Sequence, residues 1–176
     1  VLEVETDHGR ELTAQEIYQR VNPSVVTVMV QLDDSVSVGT GVIFRADGYI
    51  LTNYHVLAGG RDCTVAMDTG RTYEAQYVAG DERNDLAVLK VELTGLPAAT
   101  FGDSDQLVVG ESVYAIGNPL GELTYSMTQG IISAKDRSIT MSDGTVMNML
   151  QTDTAINNGN SGGPLFDMYG QVIGIT

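Results

Sequence analysis

Asn157-Asn158-Gly159-Asn160-Ser161-Gly162-Gly163-Pro164-Leu165 sets a serine among glycines, with an apolar run after it from Leu165 to Phe166 and again from Val172 to Ile175. Glycine reaches backbone conformations closed to other residues, so a Gly-rich turn can aim consecutive N–H groups at one point beside a hydroxyl. Two such donors are what the anion of a tetrahedral acyl intermediate requires. A serine hydroxyl is inert by itself, so this reading stands or falls on a base elsewhere in the chain.

The chain has two histidines. His8 lies in a charged N-terminal segment expected to fray. His55 follows the apolar run Tyr49-Ile50-Leu51-Thr52 and the polar Asn53-Tyr54, which places an imidazole at a strand end. A carboxylate that orients it is sought in an apolar setting, and Asn84-Asp85-Leu86-Ala87-Val88-Leu89 offers an aspartate at the head of an apolar strand; Asp81 is its nearby rival. A buried carboxylate must be hydrogen-bonded to be tolerated. The order along the chain is then His55, Asp85, Ser161. Gly159-Asn160-Ser161-Gly162-Gly163 also fits the G-x-S-x-G turn of α/β-hydrolases, but there a histidine follows the serine, and none does here. The subtilisin order needs an aspartate before the histidine; Asp33, Asp34 and Asp47 precede it, yet none opens an apolar strand within an α/β pattern. Histidine, aspartate, serine is the order of the chymotrypsin-like double barrels.

Short apolar or alternating runs fill the rest of the chain, from Val25–Val30 to Gln171–Ile175, separated by turns such as Asp47-Gly48, Thr69-Gly70, Asp143-Gly144 and Tyr169-Gly170. This rhythm predicts antiparallel barrels. One helix is expected near the N-terminus: Thr13 and Glu16 form a capping box, Ile17 and Val21 share a face, and Pro23 blocks continuation. The rhythm breaks over Thr94–Asp105, so the expected organisation is an N-terminal segment with a short helix (1–21), a first β-barrel carrying His55 and Asp85 (22–100) and a second carrying Ser161 (101–176). The site would lie in the cleft between the barrels.

Taken together, Gly39-Thr40-Gly41-Val42-Ile43, Ile50 through Val56, Asn84 through Lys90, Ala115-Ile116-Gly117-Asn118-Pro119 and Gln151 through Leu165 resemble the protease domain of the HtrA/Deg family of chymotrypsin-fold serine proteases. The resemblance implies an all-β fold of two six-stranded antiparallel β-barrels. The chain ends 15 residues after Ser161, where the family continues with further strands, so the second barrel is expected to be incomplete. It also implies an ATP-independent serine endopeptidase that degrades unfolded or misfolded proteins in protein quality control and the stress response. The family works outside the cytoplasm (periplasmic, cell-surface or secreted, with any membrane anchor outside this chain), as homotrimers or higher homo-oligomers and often with PDZ domains. The oxyanion donors would be the N–H groups of Gly159 and Ser161. Ala155 and Ile156 would line a specificity pocket for small or medium aliphatic side chains. Loops 118–123, 135–145 and 155–160 would switch activity. Two departures stand out: Asn158 replaces a frequent proline, and Thr176 lies near a position where asparagine is common. Neutral Asn160 occupies the place where digestive relatives use an aspartate to bind a new N-terminal ammonium, so activation should not require cleavage of a propeptide. The runner-up is a peptide-binding or holdase module whose protease site is idle.

Nine basic against 23 acidic residues give a net charge of −14, which argues against nucleic acid or an anionic membrane as the main partner. Cys63 is alone and reads as a small apolar strand residue. No run approaches the ~18 apolar residues of a membrane span. Neither histidine has ligand-spaced partners and Asp33-Asp34 lacks a calcium-loop pattern, so neither metal nor cofactor is expected.

Overall fold

The computed structural model describes every residue except 1, 3, 5–8, 61, 119–124 and 158–159. Helix α1 (Ala14–Val21) starts where the sequence places it: the Thr13 hydroxyl accepts from the Glu16 N–H, and the Glu16 carboxylate accepts from the Thr13 N–H, 3.2 Å each. A 3₁₀ turn over Asn22–Ser24, with Pro23 in it, ends the helix and turns the chain into the first strand.

Strands β1 (Val25–Gln31), β2 (Val36–Arg45), β3 (Tyr49–Thr52), β4 (Asp62–Ala66), β5 (Thr72–Asp81) and β6 (Leu86–Lys90) close an antiparallel barrel in the order β1-β2-β3-β6-β5-β4. Its near-continuous apolar runs are explained by what lies on each side. Along β1, Val26, Val28 and Val30 fill the barrel with Ile43, Ile50, Val65 and Leu89, whereas Val25 points outward to a second cluster. Both faces are therefore buried, and the period of two shows in which core each residue enters.

The second half is an open five-stranded sheet: β7 (Ser112–Gly117), β8 (Ser126–Thr140), β9 (Val146–Thr152), β10 (Pro164–Phe166) and β11 (Val172–Ile175), in the order β11-β10-β7-β8-β9. The expected incomplete second barrel takes this form. Tyr114, Ile116, Phe166 and Val172 on one face meet Val25 and Val42 of the barrel and Ile17 and Val21 of α1. Val113, Ala115, Leu165 and Ile173 on the other face join Leu107 and Ile132 in a third cluster. Each fully buried side chain of this size contributes roughly 1.5–3 kcal/mol, so the joint between the halves is a core in its own right. The expected inter-barrel boundary is largely irregular chain, pinned by parallel bridges from Phe101 to Val4 and Val172.

Two elements differ from expectation. The segment Lys135–Thr140, read as loop, continues β8 and pairs with β9 as far as Thr140↔Val146, leaving only a tight turn at 141–145. Bulges around Ala134 let the strand bend there, and Asp136 (φ 52°) takes up the left-handed conformation at the bend. A second helix, α2 (Tyr54–Leu57), was not foreseen; one turn is too short to show a period of 3.6.

Candidate functional site

β3 and β6 are neighbours, with Thr52 opposite Ala87, so the residues just past one end of β3 and just before β6 must meet. Asn53 ends β3 and starts α2, which carries His55 in its first turn. Asp85 sits immediately before β6 at φ 54°, a left-handed conformation that aspartate tolerates better than most residues. Its carbonyl accepts from the Tyr54 N–H at 3.2 Å. Its carboxylate accepts twice from His55, Oδ1 from the backbone N–H at 2.9 Å and Oδ2 from Nδ1 at 2.7 Å. An ionised carboxylate only accepts, so the proton of the neutral imidazole lies on Nδ1 and Nε2 keeps its lone pair. Backbone and ring are held by one side chain, which fixes both tautomer and direction. The rival Asp81 is engaged elsewhere: its two oxygens accept from the N–H and the Nδ2 of Asn84, which holds its pKa below the ordinary carboxylate value. The expected apolar setting is only partly met, since the Asp85 side chain is 37% exposed and that of His55 56%; the apolar strand begins one residue later.

The Ser161 turn reaches this strand end from the other half. The Ser161 carbonyl accepts from the Thr40 N–H of β2 at 2.8 Å. Gly162, at φ 84°, lies so close to the barrel that a Cβ there would stand 2.4 Å from the Thr40 carbonyl oxygen and the Thr52 hydroxyl and 3.0 Å from the Asn53 nitrogen. Only glycine permits that approach, and it sets the nucleophile candidate beside the residues that lead to His55. The Ser161 N–H donates to no partner among the described residues, which leaves it available to a substrate oxygen. Nor are the Ser161 hydroxyl and the imidazole hydrogen-bonded to each other; such contacts are often loose before substrate binds. Gly159 and His8 lie outside the described residues.

Asn160 is buried, and its side chain folds back on its own loop: Oδ1 accepts from the Asn157 N–H at 2.9 Å, and Nδ2 faces the Ala155 carbonyl at 3.4 Å. Ala155 and Ile156 are exposed beside it. The loop is tied to β8 by Thr128 Oγ1 donating to the Ala155 carbonyl and by the Ile131 N–H donating to Asp153 Oδ1. Of the loop expected at 118–123, Asn118 is fully buried, donating from Nδ2 to Thr27 Oγ1 (3.1 Å) and from its N–H to Thr40 Oγ1 (3.3 Å); residues 119–123 are outside the described set. Tyr18 packs within the chain, its hydroxyl on the Tyr125 carbonyl at 3.2 Å.

Sequence reasoning missed Thr40, Asn53, Asn118 and Thr176 as parts of this arrangement. Their signal was present only as polar residues inside or beside apolar strands, which is uncommon unless something satisfies them. Cavities of about 410 Å³ (lined by Arg20, Ser24, Thr100 and Gln171 among others) and about 230 Å³ (behind α2, lined by Tyr54, Leu57 and Cys63 among others) include neither His55 nor Ser161.

A histidine braced by an aspartate on one half, with a Gly-rich serine turn packed against the same strand end from the other, is the arrangement of serine peptidases of the trypsin-like fold. The trypsin-like peptidase domain family matches residues 39–175. The probable periplasmic serine endoprotease DegP-like of Halomonas elongata is 50% identical over 139 residues, 79% of this chain and 29% of that protein. Among solved structures, the HtrA-type protease AlgW with a tripeptide superposes with a TM-score of 0.84 at 45% identity over 90% of this chain and 52% of its own. Deg5 does so with a TM-score of 0.80 at 37% identity, covering 93% of this chain and 86% of its own. The chain belongs to the trypsin-like peptidases and, within them, to the HtrA/Deg family of serine endoproteases. It spans under a third of the length of the curated relatives it matches.

Proposed function

We propose that the protein hydrolyses peptide bonds through an acyl-enzyme, with Ser161 as nucleophile, His55 as general base and then general acid, and Asp85 as the group that holds the imidazole. The observation that carries this is the double hydrogen bond from His55 to Asp85. It presets Nε2 to take the serine proton and stabilises the imidazolium that forms. As the Ser161 oxygen attacks the scissile carbonyl, the developing oxyanion is met by the Ser161 N–H and, in this reading, by that of Gly159. Collapse expels the amine with the proton from His55; water then repeats the steps in reverse order and frees the acid.

Ala155 and Ile156 would line the pocket for the side chain preceding the cut. They present no charge, and desolvating a lysine or arginine there without a partner is unfavourable, so Ala, Val or Ile is the expected preference. Peptides are the ligands in related structures, and relatives are named periplasmic. Both support unfolded or misfolded protein as substrate, degraded without ATP as quality control outside the cytoplasm, by a homotrimer or larger assembly.

The test is casein hydrolysis together with labelling by a fluorophosphonate probe, on the full-length protein. Ser161→Ala should abolish both while leaving the folded signal unchanged, since loss of a triad nucleophile lowers turnover by about 10⁴ to 10⁶. Turnover that the substitution leaves untouched would refute the assignment. Binding of unfolded protein by the wild type with no turnover would favour the idle-site holdase.

A further inference from the structure

Thr176 lies just past β11, on neither of the segments that supply the candidate triad, yet it meets the nucleophile turn at every hydrogen-bonding group it has. Its N–H donates to the Gly163 carbonyl at 2.9 Å, and its carbonyl accepts from the Gly162 N–H at 3.0 Å. Its hydroxyl donates to the Asn160 carbonyl at 2.7 Å and lies 3.2 Å from the Gly163 carbonyl. The residues immediately before and after Ser161 are therefore both held by Thr176. The same carbonyl accepts a second bond, 2.6 Å, from Nδ2 of Asn53, a buried residue. Asn53 is two residues before His55 and does not use its side chain to cap α2. One carbonyl oxygen thus joins the turn that carries the serine to the chain segment that carries the histidine.

We propose that Thr176 and Asn53 are positioning residues that fix the distance between Ser161 and His55 across the two halves of the molecule. The proposal rests on the catalytic reading of Ser161 and His55 given above. The backbone bonds of Thr176 would form with any residue at that position; the part specific to threonine is the hydroxyl, which anchors the peptide between Asn160 and Ser161. That peptide includes the Ser161 N–H, so its tilt sets an oxyanion donor as well as the nucleophile. Asn53 contributes what no backbone group there supplies, a donor reaching from the barrel to the Thr176 carbonyl. The Thr40 N–H holds the same turn from the barrel through the Ser161 carbonyl, and Thr52, whose hydroxyl donates to the Thr40 carbonyl, packs against Gly162, so losing the Thr176 hydroxyl should loosen the turn without unfolding it.

A displacement of about 1 Å in such a constellation can lower turnover about a hundredfold, and a group that acts only on alignment changes kcat and leaves KM nearly unchanged. The experiment is steady-state hydrolysis of a chromogenic peptide and the rate of fluorophosphonate labelling, with thermal unfolding as control, in the full-length protein. Thr176→Val, which keeps the shape and removes the hydroxyl, should lower kcat and the labelling rate roughly ten- to a hundredfold with KM within about twofold. Thr176→Ser, which restores the hydroxyl, should recover most of the loss. Asn53→Leu should reproduce the kcat effect, and it decides the matter should the valine variant lose its folded signal. Unchanged kcat in both T176V and N53L, a loss carried by KM, or no recovery in T176S would overturn the proposal. If S161A were itself active, the catalytic reading would fall first, whereas an inactive S161A beside fully active T176V and N53L would remove this inference alone.

Discussion

The two halves of the molecule hold their share of the site in different ways. In the closed barrel every strand has two partners, and His55 and Asp85 are fixed where the neighbouring strands β3 and β6 meet a turn. In the open sheet Ser161 stands on the connection between β9 and β10, held mainly by hydrogen bonds that other loops and strand ends send to it. Beyond it the β8–β9 hairpin carries Ile139, Met141 and Val146 into solvent. A closed barrel has no unpaired edge, whereas an open sheet keeps some of its strand ends and hairpins free to move. Under the proposed roles the division would place the base on a stiff platform and the nucleophile and pocket on the more open half, as switching by loop order would require. Asn160 bears on the same proposal: its Oδ1 accepts from the Asn157 N–H of its own loop.

The largest expected effect tests the stiff side. Asp85→Asn should leave the fold intact while lowering turnover by about 10⁴, because an amide that donates to His55 favours the wrong tautomer. A peptide assay beside a thermal melt measures it. Turnover within tenfold of the wild type would show that Asp85 does not orient the base, and the platform description would fail with it.

Much of this was legible in the sequence, and the residues show why. Short or alternating apolar runs between turn residues assigned the strands, and the order of His55, Asp85 and Ser161 selected among folds that share such residues. The capping box at Thr13 and Glu16 was readable because it is wholly local. Thr176 and Asn53 were not, because their meaning is a contact between residues 123 positions apart that no spacing rule connects. The extension of β8 through Lys135-Asp136-Arg137-Ser138 was hidden for a different reason. A projecting hairpin buries neither face, so the apolar alternation that marks a strand is absent although the backbone pairs with β9 again from Arg137 to Thr140.

Gly162 and Gly144 compare the halves at the level of one methyl group. Both have positive φ, 84° and 87°, but a Cβ at 162 would overlap the barrel while one at 144 would meet nothing within 4 Å. Gly144→Ala should cost only the left-handed penalty, about 1–2 kcal/mol. Gly162→Ala adds overpacking and should cost about 2–5 kcal/mol in all, together with a large loss of turnover as Ser161 is pushed away from Asn53. Denaturant melts of the two variants give the difference directly; equal values would mean that the turn does not press on the barrel as described.

Cys63 sharpens the contrast from inside the barrel. It lies half-buried on β4, packed against the barrel core, and burial pushes its thiol up to about 11. The thiolate is the reactive form, so alkylation by iodoacetamide near neutral pH should be far slower than for an exposed cysteine and should accelerate as pH approaches 11. Fast labelling at neutral pH would show that the barrel opens near β4 more readily than a closed sheet should.

The smallest effect belongs to neither half but to the helix that packs against their joint. Arg10 Nη2 lies 2.6 Å from Glu16 Oε2, while Glu16 Oε1 accepts from the Thr13 N–H. The hydrogen bond from Arg10, followed by that from Thr13, lowers the Glu16 pKa to about 2. A carboxylate whose folded pKa lies below its unfolded value of 4.5 stabilises the fold fully above that value, and the contribution disappears as pH falls through about 2. Both side chains are in water, so solvent and salt screen the pair and the effect on global stability should be slight. A proton-detected titration of the Glu16 carboxyl should place its midpoint near 2 at low salt and higher near about 1 M salt. Glu16→Gln should flatten the acid side of a plot of melting temperature against pH by a small amount. An ordinary midpoint near 4.5 would mean that neither Arg10 nor the Thr13 N–H holds the carboxylate, and α1 would then be held against the joint by Ile17 and Val21 alone.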